Sequence, residues 1–305
     1  VGTAIAAGLE AARLAFRNWT LFRPDREPMI SWDPADYGLD PGMVDEVHFS
    51  SPNGPALYGW YCRASRPIAS VLLCHGNSGN LTRSAPNLPS LVDAGINVLT
   101  FDYRGFGRSQ GRPTARGLLK DGVAAAVEHD RLRGDLPSIL YGYSLGGAVA
   151  LQLTQLHAFD GMILQSTFTS LKQMARVRYP RFPFHLIAGR EFDSLSRIRD
   201  VELPLILLHG TDDKSVPAWM GEQLFEACRS GKELVLVDGG AHTNLYAIAP
   251  ERIVESIRRL ALRIRANPVG GSIVSVGESM REANPVRRFI RRLLRENPVS
   301  ERAGA

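Results

Sequence analysis

Cysteine is scarce in this chain of 305 residues. There are three, Cys62, Cys74 and Cys228, far apart in sequence. The odd number and wide spacing argue against a disulfide framework. No grouping of Cys, His or Asp has the spacing of a metal site. The three thiols read as reduced and buried, with Cys74 a small hydrophobe inside an apolar strand. Long apolar runs are also missing. No stretch approaches the roughly 18 apolar residues of a membrane-spanning helix. Residues 1–16 are alanine-rich and mildly apolar, but Glu10 and Arg13 interrupt them. They read as a plain N-terminal helix, with the end of a trimmed membrane anchor or signal segment as the other reading. A basic domain face is lacking too. The net charge is +5, yet residues 251–305 hold twelve arginines against six glutamates, a net of +6, which leaves the rest near −1. The basicity belongs to a C-terminal appendage, and no nucleic-acid recognition motif accompanies it. Nucleic acid is not an expected partner.

What the chain does have is alternation. Residues 1–42 read as a helix followed by a proline-rich connection running extended over the surface, with Pro24, Pro28, Pro34 and Pro41. Two β-prone runs, 43–50 and 57–64, flank Ser51-Pro52-Asn53-Gly54-Pro55 and predict an antiparallel hairpin. Apolar strands over 70–74, 97–101, 138–143, 161–165, 203–208 and 233–237 then alternate with helices over 88–94, 116–131, 145–157, 219–228 and 251–265. Leu119, Val123 and Val127 mark a helical face at four-residue spacing. Apolar strands alternating with helices mean an α/β domain, a mostly parallel sheet covered on both faces. No internal repeat or linker divides it. Residues 166–202 break the pattern. They carry Phe168, Tyr179, Phe182, Phe184 and Phe192 around Pro180 and Pro183, enough for a small flap rather than a large lid. These aromatics either line an acyl pocket or close the core over the strand ends.

Chemistry concentrates at Gly142-Tyr143-Ser144-Leu145-Gly146. This Gly-x-Ser-x-Gly lies between a strand and a small-residue helix, the context of a nucleophile elbow. A serine hydroxyl is a weak nucleophile, so it needs a base, and the base needs an orienting carboxylate. Ligands of such sheets gather at the carboxyl ends of strands. Asp212 and Asp213 follow one later strand, and His242 follows the last. The order Ser, Asp, His suits this architecture. His75 and His209 also end strands, but sit in turns where bonding to loop backbone is the ordinary role. His48, His129, His157 and His185 lie on element faces and require no function. An oxyanion needs donors. The N–H of Leu145 at the helix start is one, and the N–H of Asn77, in the turn His75-Gly76-Asn77-Ser78-Gly79, is the other. Tyr143 and Phe168 are candidates for the substrate pocket.

With these motifs in place, the chain resembles the α/β-hydrolases. His75-Gly76-Asn77, the run from Asp102 to Ser109, Gly142–Gly146, His209-Gly210-Thr211-Asp212-Asp213 with Val216-Pro217, and Gly240-Ala241-His242 occur in that family's order. The likeness is greatest to the Bem-forty-six-like branch, which includes mammalian α/β-hydrolase-domain proteins that remove palmitate from cysteines. It covers about residues 43–266. The resemblance implies an α/β-hydrolase fold: an eight-stranded, mostly parallel sheet whose second strand is antiparallel. It implies Ser144 as nucleophile, His242 as base, and Asn77 and Leu145 as oxyanion donors. It selects Asp213 over Asp212 as the acid. The run 102–109 is a family marker with a structural role, although Tyr103 or Arg104 could edge the pocket.

The expected activity is hydrolysis of carboxylic esters or thioesters through an acyl-enzyme, with no cofactor and a small-molecule acyl substrate as partner. A peptidase variant and a non-catalytic binding protein on the same fold are the alternatives. Residues 267–305 form a tail outside the resemblance. Within it Val286, Phe289, Ile290, Leu293 and Leu294 recur at helical spacing, with Arg287, Arg288, Arg291, Arg292 and Arg295 opposite. This basic amphipathic helix over 286–295 is either docked on its own domain or in peripheral membrane contact. The expected location is cytoplasmic, with membrane association through this helix or an N-terminal anchor as the variant.

Overall fold

The computed structural model describes residues 21–51, 53–181, 185, 189 and 191–267. Eight strands form the main sheet: β1 (Val44–Ser50), β2 (Ala56–Cys62), β3 (Ala69–Cys74), β4 (Ile96–Phe101), β5 (Ser138–Tyr143), β6 (Gly161–Gln165), β7 (Leu205–Gly210) and β8 (Lys232–Val237). Their order across the sheet is β8-β7-β6-β5-β3-β4-β2-β1. β2 runs antiparallel to both β1 and β4, and every other neighbouring pair is parallel. This is the α/β-hydrolase fold, with the second strand reversed as the resemblance implies.

Each central strand is apolar on both faces because helices cover both. Leu72, Cys74, Leu140, Met162, Leu164 and Leu207 turn to one side. There they meet α2 (Ala115–Arg133), α3 (Leu145–Leu153) and α6 (Ala218–Ala227). Val71, Leu73, Ile139, Ile163, Ile206 and Leu208 turn to the other. There they meet α1 (Leu88–Asp93) and α8 (Pro250–Ala266). Burying one such aliphatic side chain contributes about 1.5–3 kcal/mol. α3 is buried all round, which its run of Gly, Ala, Val and Leu permits. α8 is amphipathic instead. Ile253, Ile257, Leu260, Ala261 and Ile264 face the sheet, with Pro250 opening the helix and Arg263 and Arg265 in its last turn.

Three expectations need correction. The buried face of α2 carries Leu118, Asp121, Gly122, Ala125, Ala126 and His129, while Val127 is exposed. Leu119 and Val123 are only partly buried. The reason is close approach. A Cβ at Gly122 would come within 2.9 Å of Leu153 Cδ1, so the helix packs through small residues rather than through its bulky row. β7 also starts two residues later than the apolar run, since Pro204 precedes it and strand pairing begins at Leu205. Finally, residues 21–42 are not merely laid over the surface. They bury Phe22, Tyr37 and Leu39, form short 3₁₀ turns at Pro34–Tyr37 and Pro41–Met43, and pair Arg23–Pro24 in parallel with Ser78–Gly79.

Between β6 and β7 lie α4 (Leu171–Arg178) and α5 (Ser194–Arg197), the described part of the flap. Phe182, Phe184, the N-terminal helix and the helix over 286–295 fall outside the described residues. No described helix is long and apolar enough to cross a membrane. Cys62, Cys74 and Cys228 are all buried free thiols.

Candidate active site

The strand β5 runs into α3 through a single residue, Ser144, with φ 53° and ψ −116°. A non-glycine residue rarely holds a positive φ, and the cost is of order 1–3 kcal/mol. The flanking glycines make it possible. A Cβ at Gly142 would lie 2.4 Å from Gly147 Cα, and one at Gly146 would lie 1.9 Å from the Cys74 carbonyl oxygen. Strand and helix are therefore close enough that no side chain fits between them. Ser144 sits at the N-cap of α3, yet its side chain makes no capping bond. Its backbone is fastened instead. The N–H donates to Gln165 O at 2.9 Å, and Thr167 Oγ1 donates to Ser144 O at 2.7 Å.

The freed hydroxyl lies 3.1 Å from His242 Nε2. The other ring nitrogen, Nδ1, is 2.7 Å from Asp213 Oδ2. Asp213 Oδ1 accepts the N–H groups of Ser215 and Val216, both at 2.8 Å. The Asp213 side chain has no exposed surface. Burial alone raises such a carboxyl. Hydrogen bonds from His209 and His242, the nearby His242 charge and the Val216 N–H outweigh it and hold Asp213 well below the usual carboxylate range. His209 Nε2 is 3.5 Å from Asp213 Oδ2 but 2.8 Å from Val216 O. Its main bond is thus to the loop backbone, the role assigned to it from sequence. Asp212 points to solvent, so the carboxylate facing His242 is Asp213. The two loops are laced together, with Asp212 N–H donating to Gly240 O at 2.9 Å. A Cβ at Gly210 would meet Gly240 O at 2.1 Å.

Leu145 opens α3, where first-turn N–H groups have no acceptor within the helix. On the opposite side the turn after β3 presents Gly76 against Ser144. A Cβ there would be 3.2 Å from the Tyr143 ring and 3.6 Å from Ser144 Cβ. His75 Nδ1 donates to the Gly76 carbonyl at 2.8 Å. In a trans peptide the C=O and N–H point opposite ways, so this bond also sets the direction of the Asn77 N–H. His75 is 1% exposed, and burial, partly opposed by its bond to Gly76, pushes its pKa down to about 4.

Sequence comparison follows the same outline. The family model described as serine aminopeptidase, S33, matches residues 65–197. The protein YfhR of Escherichia coli (strain K12) is 33% identical over 227 residues, spanning 70% of this chain and 79% of its own length. The chain belongs to the α/β-hydrolase superfamily. A more distant relative, the lysophosphatidylserine lipase ABHD12 of Danio rerio, is 30% identical over 200 residues, covering 57% of this chain and 51% of its own. Among solved structures, the Pyrococcus furiosus esterase Pf2001 superposes with a TM-score of 0.67 at 20% identity, covering 80% of this chain and 98% of that one.

In this hydrolase the pocket candidates divide. Tyr143 is half-buried beside His242. Its ring centroid is 5.3 Å from that of His242, and its hydroxyl donates to His242 O at 3.2 Å. Burial and the Asp213 charge keep that phenol protonated well above its ordinary range. Phe168 is 4% exposed and packs in the core with Leu145 and Phe192, so it closes the core behind the site. Tyr103 and Arg104 do not edge the pocket. Tyr103 is fully buried, its ring tilted against that of His75 with centroids 4.6 Å apart. Arg104 forms a two-pronged pair with buried Asp121, tying the 102–109 loop to α2. Asp102 is buried as well, and accepts the Leu81 N–H at 2.7 Å. Burial, opposed by the Leu81 and Arg108 N–H groups and by Arg26 and Arg108, raises it to about 7. Thr167 was not anticipated from sequence. Its one signal is a small hydroxyl residue just past the end of β6. Among the described residues no cluster of three or more His, Cys, Asp or Glu is arranged to hold a metal ion.

Proposed function

We propose that this hydrolase cleaves carboxylic esters or thioesters through an acyl-enzyme formed on Ser144. The observation that carries the reading is the chain of contacts from Ser144 Oγ through His242 to Asp213, at 3.1 Å and 2.7 Å. His242 Nε2 takes the hydroxyl proton as Oγ attacks the acyl carbon. Asp213 fixes the Nδ1–H tautomer and stabilises the imidazolium. Negative charge develops on the carbonyl oxygen between the N–H groups of Leu145 and Asn77. Each such donor is worth about 3 kcal/mol in the transition state. The imidazolium then protonates the leaving alkoxide or thiolate. Water repeats the sequence, losing its proton to His242, and returns Ser144 with release of the acid.

Relatives named as an esterase and a lipase support the ester reading. The peptidase in the family description makes the amide the competing substrate class. Hydrolysis of p-nitrophenyl esters from acetate to palmitate tests the proposal, with amino-acid p-nitroanilides alongside. Ester turnover that falls by at least about 10³-fold in Ser144→Ala supports it. Turnover of anilides alone would replace it with peptide hydrolysis. No turnover of either class would favour a binding protein on this fold.

A further inference from the structure

The turn that carries Asn77 is held from within at one peptide, by the His75 Nδ1 bond to the Gly76 carbonyl. It begins with Gly76, whose backbone is the least restricted of any residue. The side chain of Asn77 makes no bond to the nucleophile's own strand or helix in the contacts described. It donates through Nδ2 to the carbonyl of Leu21, at 3.1 Å. The Asn77 carbonyl accepts the Arg23 N–H at 2.8 Å. Both partners lie more than fifty residues earlier in the chain, outside the alternating core. They belong to the short segment 21–27, which runs parallel to the turn and pairs Arg23 with Ser78 and Pro24 with Gly79.

That segment is anchored at every step. Phe22 is 4% exposed and packs in the same core cluster as Leu145, Tyr103 and Phe106. Asp25 N–H donates to Gly79 O at 3.0 Å, and Gly107 N–H donates to Asp25 O at 2.9 Å. Asn80 Nδ2 reaches the carbonyls of Asp25 and Glu27, at 3.2 and 2.6 Å. Arg26 Nη1 reaches those of Gly107 and Ser109, at 3.1 and 2.8 Å. The segment is thus a strap clamped between the oxyanion turn and the 102–109 loop.

We infer that residues 21–27 position the oxyanion donor of Asn77, with the Arg23 backbone N–H as the positioning contact, so that the strap acts on the transition state and not on substrate binding. The inference rests on the ester-hydrolase reading above. His75 holds the peptide before Asn77 through Gly76 O, and the strap holds the peptide after it through Asn77 O. With both ends fixed, the Asn77 N–H faces the site. With the strap bond lost, only the His75 bond to Gly76 O restrains the donor peptide, and the glycine turn can shift the donor from its place. A displaced donor forfeits stabilisation that exists only once the carbonyl oxygen carries charge.

Arg23→Pro removes the N–H at a position whose side chain is exposed. Arg23→Ala keeps the N–H and is the conservative comparison. Each variant is assayed on a p-nitrophenyl ester and titrated with an aryl trifluoromethyl ketone. Ser144 Oγ adds to the ketone carbon, its proton passes to His242, and the former carbonyl oxygen becomes the bound oxyanion. The expected result is a kcat lowered at least about tenfold in Arg23→Pro at unchanged KM. Ketone affinity should weaken by a similar factor, and both should recover in Arg23→Ala. Hydrogen exchange of the 76–80 amides should quicken in Arg23→Pro, which reads the strap without reference to activity. If Arg23→Pro fails to fold, Arg26→Ala, which loosens the strap from the 102–109 loop, should show the same pattern more weakly. Wild-type kcat and ketone affinity in the folded Arg23→Pro would overturn the inference, as would unchanged exchange at 76–80. A wild-type protein that neither turns over esters nor binds the ketone, yet shows the quickened exchange, would overturn the function while leaving the strap as a clamp on the turn.

Discussion

Asp213 is a carboxylate with no exposed surface that remains ionised because donors converge on it. His209 and His242 face one oxygen, and the Ser215 and Val216 N–H groups hold the other. Asn at this position offers an amide where the base needs an acceptor, and favours the wrong imidazole tautomer. Asp213→Asn should lower kcat by about 10³–10⁴-fold with little change in KM, read from ester kinetics. The same carboxyl sets a stability trend. Its native pKa is depressed, so its contribution is fully present above the ordinary carboxyl value near ~4 and is lost as pH falls below that. Thermal melting of the wild type should therefore lose stability in acid more steeply than Asp213→Asn does. Arg104 belongs to another class. It pairs with Asp121, whose side chain has no exposed surface, and removing it strands a buried charge. Arg104→Ala should destabilise the protein by about 3 kcal/mol, seen as a lowered denaturation midpoint. KM should be unchanged, because the side chain ties a loop to α2 through Asp121.

At the scale of elements, the elbow depends on how closely β3, β5 and α3 approach. Gly146→Ala places a methyl 1.9 Å from the Cys74 carbonyl oxygen, and backbone cannot yield as a flexible side chain does. It should cost about 3 kcal/mol or more and displace the serine, so melting temperature and ester turnover fall together. Gly239 is the contrast. It has φ +65°, but a Cβ there meets nothing within 4 Å. Gly239→Ala should cost only about 1–2 kcal/mol, the strain of a left-handed residue, in the same melting experiment. The strands themselves were legible in the sequence. A strand buried on both faces between parallel neighbours must be largely apolar, and β3, β5 and β6 are, with Ser70, Ser138 and Gln165 as buried polar exceptions near their ends. The packed face of α2 was not legible. The bulky row Leu119, Val123 and Val127 has helical spacing, but contact distance favours the small row with Gly122 and Ala126. Hydrophobic periodicity records bulk and does not record how near the neighbouring helix comes.

Across the whole molecule, the site residues come from strand ends spread over most of the domain. Asn77 follows β3, Ser144 follows β5, Asp213 follows β7 and His242 follows β8. Their proximity was readable because the fold places strand ends together, so the order of motifs along the chain stands in for nearness in space. Choosing between adjacent Asp212 and Asp213 needed more, namely a family resemblance, and the geometry has Asp213 facing the base. What sequence could not supply were contacts with no period and no motif. Thr167 bracing the Ser144 carbonyl is one, and segment 21–27 clamping the Asn77 turn is another. Both end on backbone carbonyls far away in sequence, where residue type leaves little trace. The fold as a whole aims one strained serine at one histidine. Reaction with a fluorophosphonate probe tests that claim most directly, read by intact mass and by mapping the modified peptide. The expected result is one adduct per chain, on Ser144, absent from Ser144→Ala and strongly slowed in His242→Ala. A folded protein that takes up no label, or that labels equally in Ser144→Ala, would contradict it.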